Sequence, residues 1–160
     1  MQFRQLLKFY RYVWRWENYV LFARVLQTAW LVRQRLPEAS VTPKIQPALF
    51  PVIESFYLQP QPHWRLSDAK KAAWFANFIV NFPVRWGGCA QRSLILYRLL
   101  NGYGEPARLC IGRPMQAGVT DGHVWVVRLC DGGQGFAESF EPRDRYQIIY
   151  TSPLPVEFEI

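Results

Sequence analysis

The stretch RWGGCAQRSLILYRLL, residues 85–100, sets a cysteine directly after two glycines and directly before an apolar helical pattern. Cys89 therefore stands at the mouth of a helix. The first N–H groups of a helix lack internal partners, and the dipole is positive there. Both effects favour a thiolate, and the same N–H groups can hold an oxyanion when sulfur attacks a carbonyl. Gly87 and Gly88 leave room for a substrate backbone beside the sulfur. The chemistry this suggests is acyl transfer through a thioester. The plainer alternative is a small buried helix residue.

A nucleophilic cysteine needs a base within reach, and the base needs a third group to orient it. His123 opens the run HVWVVRL, with Gly122 leaving space beside it. Taken by itself it reads equally as a polar residue at a strand edge. The segment FAESF alternates, so Phe136, Glu138 and Phe140 share one face of an expected strand. An acid between two phenylalanines is unusual for a core strand. Glu138 is therefore the first candidate for the third position, with Glu141 and Asp144 as competitors.

The elements that must carry these groups follow from periodicity and punctuation. Residues 2–36 contain no Gly or Pro and read as one long helix or two stacked ones. Arg4, Lys8, Arg11 and Arg15 share one face of it. Leu6, Phe9, Val13, Trp16 and Val20 share another. Residues 37–62 are rich in proline and read as a linker with one short helix around 48–57. Ser67 or Asp68 caps a helix that turns Ala72, Trp74, Phe75, Phe78 and Ile79 inward, and Pro83 ends it. A further helix runs from Cys89 to Leu100, closed by Asn101, Gly102 and Gly104. Strands are expected at 106–112, 123–129, 136–140 and 146–150, a turn at 130–135 and an irregular tail over 151–160. Helices followed by an antiparallel sheet make an α+β fold. The division is a helical, proline-rich segment over 1–66 and a catalytic domain over 67–160.

Composition narrows the classes. The chain has 160 residues, half of them hydrophobic, which suits one domain with a real core. The net charge of +7 is spread along the chain without a basic run or a nucleic-acid motif, so no nucleic-acid partner is expected. Three scattered cysteines and two distant histidines show no zinc spacing and no disulfide framework. No metal and no cofactor is expected. Arginine and lysine interrupt every apolar run near the N-terminus, which excludes a signal peptide or a spanning segment there. The expected location is the cytoplasm.

As an ordered set, these residues resemble a known family. CAQRSLILYRLLNGYGEPARLCIG followed by GHVWVV is similar to the transglutaminase-like leader-peptidase family of lasso-peptide biosynthesis. The resemblance lies in Cys89, the Arg92-Ser93-Leu94 run, the Leu-Tyr-Arg-Leu-Leu helix, the Gly-x-Pro-Ala-Arg-Leu turn and the His-x-Trp-Val strand. It covers roughly residues 67–150 and implies a papain-like or transglutaminase-like core. It also implies a Cys-His-Asp triad that cuts the leader from a ribosomally made precursor peptide. Cys89 then matches the nucleophile and His123 the base. The family's acid is usually an aspartate, and the acid at the matching place here is Glu138, one methylene longer. Arg92 also matches a family position, with Asp121 or Glu105 as expected partners.

The resemblance carries expectations about partners. Precursor recognition in this family uses a small winged-helix-like domain, and residues 1–66 contain no strand signals from which to build one. It therefore implies a stand-alone peptidase that works with a separate leader-binding protein, with a lasso cyclase as a further partner. The arginine and aromatic face of the N-terminal helix reads as a solvated stripe or as a docking surface for that protein; membrane-surface binding is not expected. Two other readings remain from the residues themselves. One is acyl transfer to an amine through the same thioester. The other is a non-catalytic peptide-binding or assembly module, which the departure at Glu138 keeps open.

Overall fold

A computed structural model of the chain describes residues 15–36, 50–59, 69–81, 88–116, 121–132 and 134–153. Among the described residues, four α-helices precede a three-stranded antiparallel sheet, an α+β arrangement. The helices are α1 (Trp16–Arg35), α2 (Phe50–Glu54), α3 (Ala69–Asn81) and α4 (Cys89–Gly102). The strands are β1 (Ala107–Pro114), β2 (His123–Arg128) and β3 (Tyr146–Ser152), in the order β2-β1-β3.

Helix α4 is the centre of the molecule. Leu94, Ile95, Leu96, Tyr97, Leu99 and Leu100 are all buried, and a helix with apolar side chains on several faces must be covered on those faces. Helices α1 and α3 cover one flank and strands β1 and β2 the other. Alanines at 69, 72, 73 and 76 keep α3 slim on its buried face and let Phe75 and Ile79 reach the core. Trp74 and Phe78 are only partly buried and stack on one another at 5.5 Å. The expected cap at Ser67 or Asp68 and the stop at Pro83 lie outside the described residues.

The inward face of α1 differs from the expected one. It runs through Leu21, Val25, Ala29 and Val32, while Trp16 is 79% and Val20 39% exposed. The stripe of medium and small side chains lets the helix approach its neighbours closely, which a row led by tryptophan would not. Arg4, Lys8, Arg11, Leu6, Phe9 and Val13 lie outside the described residues. Arg15 is exposed at the N-cap of α1.

Asn101 joins α4 to the sheet. Its side-chain amide donates to the Tyr97 and Ala107 carbonyls, and its carbonyl accepts from the Ala107 N–H at 3.1 Å. The chain leaves the helix through Gly104, at φ +79°. β1 pairs with β2 from Ala107↔Arg128 to Gly112↔His123. β1 and β3 pair with a bulge between Ile111 and Gly112. Leu109, Ile111, Val124 and Val126 join the main core with α4. Cys110, Trp125 and Val127 form a second small cluster with Tyr146.

Three strand expectations require correction, the first being β1, which runs to Pro114, two residues past its expected end. Residues 136–140 are not a strand: Gly135 makes one isolated bridge to Val127, and Ala137 adopts φ +58°. A left-handed residue turns the chain out of the ladder. Gly135 itself is needed there, because a Cβ would come within 2.6 Å of Pro142 Cδ. β3, by contrast, runs two residues past its expected end, to Ser152, whose hydroxyl is hydrogen-bonded to Tyr97 at 2.8 Å.

Candidate active site

Cys89 is the first residue of α4, and Gly88 is its N-cap in an extended conformation. Gln91 folds back so that its side-chain carbonyl accepts from the Gly88 N–H at 2.8 Å. This satisfies a donor that a helix start otherwise leaves orphaned, and it fixes the approach to the sulfur. One turn on, the Ser93 hydroxyl donates to the Val124 carbonyl at 2.8 Å. That bond ties the helix carrying Cys89 to the strand carrying His123.

The His123 imidazole and the Val124 backbone act on the Cys89 thiol, and the thiol acts in turn on His123. Burial pushes the thiol up. The His123 imidazole, the Val124 backbone and the charges of His123 and Arg92 oppose it, and the net direction is below the ordinary thiol value. Burial likewise pulls the imidazole down, but Cys89 and Glu138 outweigh it and raise His123 to about 9. The two shifts favour one state, a thiolate beside an imidazolium.

His123 is held by rings as well as by charges. Tyr146, Phe140 and Trp125 lie at 5.2, 5.5 and 5.9 Å from the imidazole centroid. Trp125 can lie flat there because residue 112 is glycine. A Cβ at Gly112 would meet the indole and the Tyr146 Cβ at 2.8 Å.

Glu138 is the acid behind the histidine. One carboxylate oxygen stands 3.4 Å from His123 Nε2, and the other takes a guanidinium N–H of Arg92. The Nε2 distance is longer than a full hydrogen bond, so the contact is an ion pair between charges in a buried setting. Glu138 is 5% exposed at its side chain. It reaches this place from a turn, not from the expected strand.

The competitors have other surroundings. Glu141 accepts from the backbone N–H groups of Gly135 and Arg143 and caps the 3-10 turn Pro142–Asp144. Asp144 closes that turn and lines an open cleft beside it. Arg92 pairs with Glu138, not with Asp121 or Glu105; Glu105 pairs with Arg128 at 3.2 Å. Trp86, whose indole N–H is a possible oxyanion donor by sequence position, lies outside the described residues. Sequence reasoning missed Gln91, the bond by which Ser93 ties α4 to β2, and the ring around His123. Gln91 had a readable signal, because it falls three residues after the N-cap.

Among the described residues no cluster of His, Cys, Asp and Glu has the arrangement of a metal site. The three cysteines are free thiols, and no described helix is long and apolar enough to cross a membrane. Neither curated proteins nor solved structures provide a match to the chain. A family model does: residues 34–151, well over half of the sequence, match it, and the chain belongs to the transglutaminase-like superfamily.

Proposed function

We propose that this protein is a cysteine peptidase that removes the leader from a ribosomally synthesised precursor peptide during lasso-peptide maturation. The observation that carries the reading is the line Cys89–His123–Glu138, with the sulfur at a helix N-terminus and the imidazole held between thiol and carboxylate. Superfamily membership supports thioester chemistry of the peptidase or acyltransferase kind. The leader as substrate rests on the resemblance in the Arg-Ser-Leu helix and the His-x-Trp-Val strand. The reading includes a cytoplasmic location, where free thiols stay reduced, and a separate leader-binding protein as partner.

In the proposed mechanism the thiol proton already resides on His123, so Cys89 attacks as a thiolate. A C–S bond forms at the carbonyl of the leader–core junction, and the carbonyl electrons move to oxygen. The Cys89 backbone N–H at the mouth of α4 faces that oxyanion. The intermediate collapses, the C–N bond breaks, and the leaving amine takes the proton from His123. Water then attacks the thioester and gives one proton to His123; the C–S bond breaks, restoring the thiolate, and the leader leaves as its acid, which ionises to solvent. Glu138 holds the charged imidazole in orientation throughout.

The test is mass spectrometry of a precursor peptide incubated with the protein and its leader-binding partner. Wild type should yield leader and core. Cys89→Ala and His123→Ala should yield neither while keeping the native circular dichroism, and Cys110→Ala should cleave. Cleavage at the wild-type rate by Cys89→Ala would falsify the mechanism. A stable amide formed with an added amine, without free leader acid, would favour acyl transfer over hydrolysis.

A further inference from the structure

A second cleft of about 450 Å³ opens at the other end of α4, between α1 and the segment after α2. Arg24, Arg98, Trp30, Leu31, Leu58 and Tyr103 line it. Arg98 lies about 14 Å along the helix from Cys89, so this cleft is separate from the reacting sulfur. We propose that it is a docking site for a partner protein that inserts a segment carrying a carboxylate beside an apolar side chain. The proposal does not depend on the peptidase reading.

Charge complementarity is the first argument. The described lining holds two guanidinium groups and no carboxylate. Arg24 is fixed in place: it donates to the Tyr103 hydroxyl at 3.0 Å and lies 5.5 Å from that ring's centroid. Arg98 makes no described ion pair, and burial together with the neighbouring Arg35 pushes its guanidinium down. A carboxylate in the cleft would offset both effects.

The apolar wall is the second argument. Trp30 is 57% exposed at the rim, and Leu26, one turn earlier on α1, is exposed with it. A small anion would engage the guanidinium groups and leave these side chains in water. A peptide segment engages both. Exposed tryptophan and arginine together are the residues that dominate interface energetics. The cleft volume suits a few side chains of a partner.

The test is fluorescence anisotropy with a fluorescein-labelled peptide of alternating glutamate and leucine, using the full chain. This peptide should bind, more weakly as salt rises. Arg98→Glu and Trp30→Ala should each weaken it by about tenfold. Arg113→Glu, the same charge change at the Gln147 contact, should not. Iodoacetamide labelling of Cys89 should be unchanged in all three, which also reports that they fold. Equal loss in Arg113→Glu would show a general charge effect and overturn the site. So would equal binding of a glutamate–serine peptide, full displacement by inorganic phosphate, tighter capture by anionic vesicles than by peptide, or no binding at all.

Discussion

Glu138 and His123 face one another across 3.4 Å, although Glu138 stands on a turn and not on a paired strand. Ala137 at φ +58° turns the chain just before Glu138, and Arg92 takes the other carboxylate oxygen. The carboxylate thus lies between two cations, and its charge favours the imidazolium form of His123.

Glu138→Gln keeps the size and removes the charge. Leader cleavage should fall by at least about tenfold, equivalent to 1.4 kcal/mol in the barrier. The alkaline limb should move as well. His123 is raised to about 9, partly by Glu138, and activity needs the proton it carries. Loss of the carboxylate lowers the imidazole pKa, so activity should fail at lower pH than in wild type. Arg92, left with its charge, pushes in the same direction. Full pH profiles of kcat/KM for both proteins check this; an unmoved alkaline limb would mean that Glu138 does not act on His123. Glu141→Gln should change stability through its turn and leave the limb in place.

Thiol reactivity isolates the ion pair from substrate binding. Cys89 is lowered by His123 and Val124, whereas burial raises the Cys110 thiol to about 11. In a Cys130→Ala background, iodoacetamide at pH 6 should label Cys89 and leave Cys110 unmodified, as read by peptide mass mapping. His123→Ala removes the imidazole and its positive charge from beside the thiol. Labelling at pH 6 should then slow by about tenfold or more, because the thiolate is the reacting form. Equal rates with and without His123 would place the activation elsewhere.

The sequence revealed the parts of this site that depend on local signals. Two glycines, a thiol and an apolar helix locate the nucleophile, because helix starts have local chemistry. A β-branched and aromatic run locates His123, because strand propensity is local too. The turn bearing Glu138 was misread as a strand, since Phe-Ala-Glu-Ser-Phe does alternate. What overrides the alternation is Pro142 packed against Gly135 and the left-handed Ala137, both set by tertiary contact. The Arg92–Glu138 pair spans 46 residues, and nothing near Arg92 in sequence distinguishes Glu138 from Asp121 or Glu105. The face of α1 failed for a similar reason: Trp16 and Val20 fit an apolar period, but Leu21, Val25 and Val32 are the ones α3 and α4 can cover.

Arg92→Met tests the second charge on Glu138. Removing Arg92 leaves the buried Glu138 with His123, at 3.4 Å, as its remaining cationic partner, and the expected loss of stability is about 1–3 kcal/mol. The double variant Arg92→Met with Glu138→Gln removes both charges and should recover much of that loss in urea unfolding. Cleavage should separate the two effects. Arg92→Met retains the carboxylate opposite His123, so the alkaline limb should stay near that of wild type or rise, while kcat falls. If the single and double variants are equally unstable, the pair contributes no coupling.

Gly112→Ala is the sharpest test of how the sheet supports the base. Gly112 pairs with His123 in register, and its backbone lies against Trp125 and Tyr146. An added Cβ meets both at 2.8 Å, so at least one ring must move. The Tyr146 atom involved is its own Cβ, which cannot rotate away, so the strain falls on β3 or on the indole. Overpacking of this kind costs about 1–3 kcal/mol, which urea unfolding should resolve. Trp125 and Tyr146 are two of the three rings around His123, so the imidazole should shift with them. Cleavage and pH 6 alkylation of Cys89 should therefore fall together, unlike in Glu141→Gln, where only stability changes. Gly112→Ala with native stability and native alkylation would mean that the rings are not what holds the imidazole against the thiol.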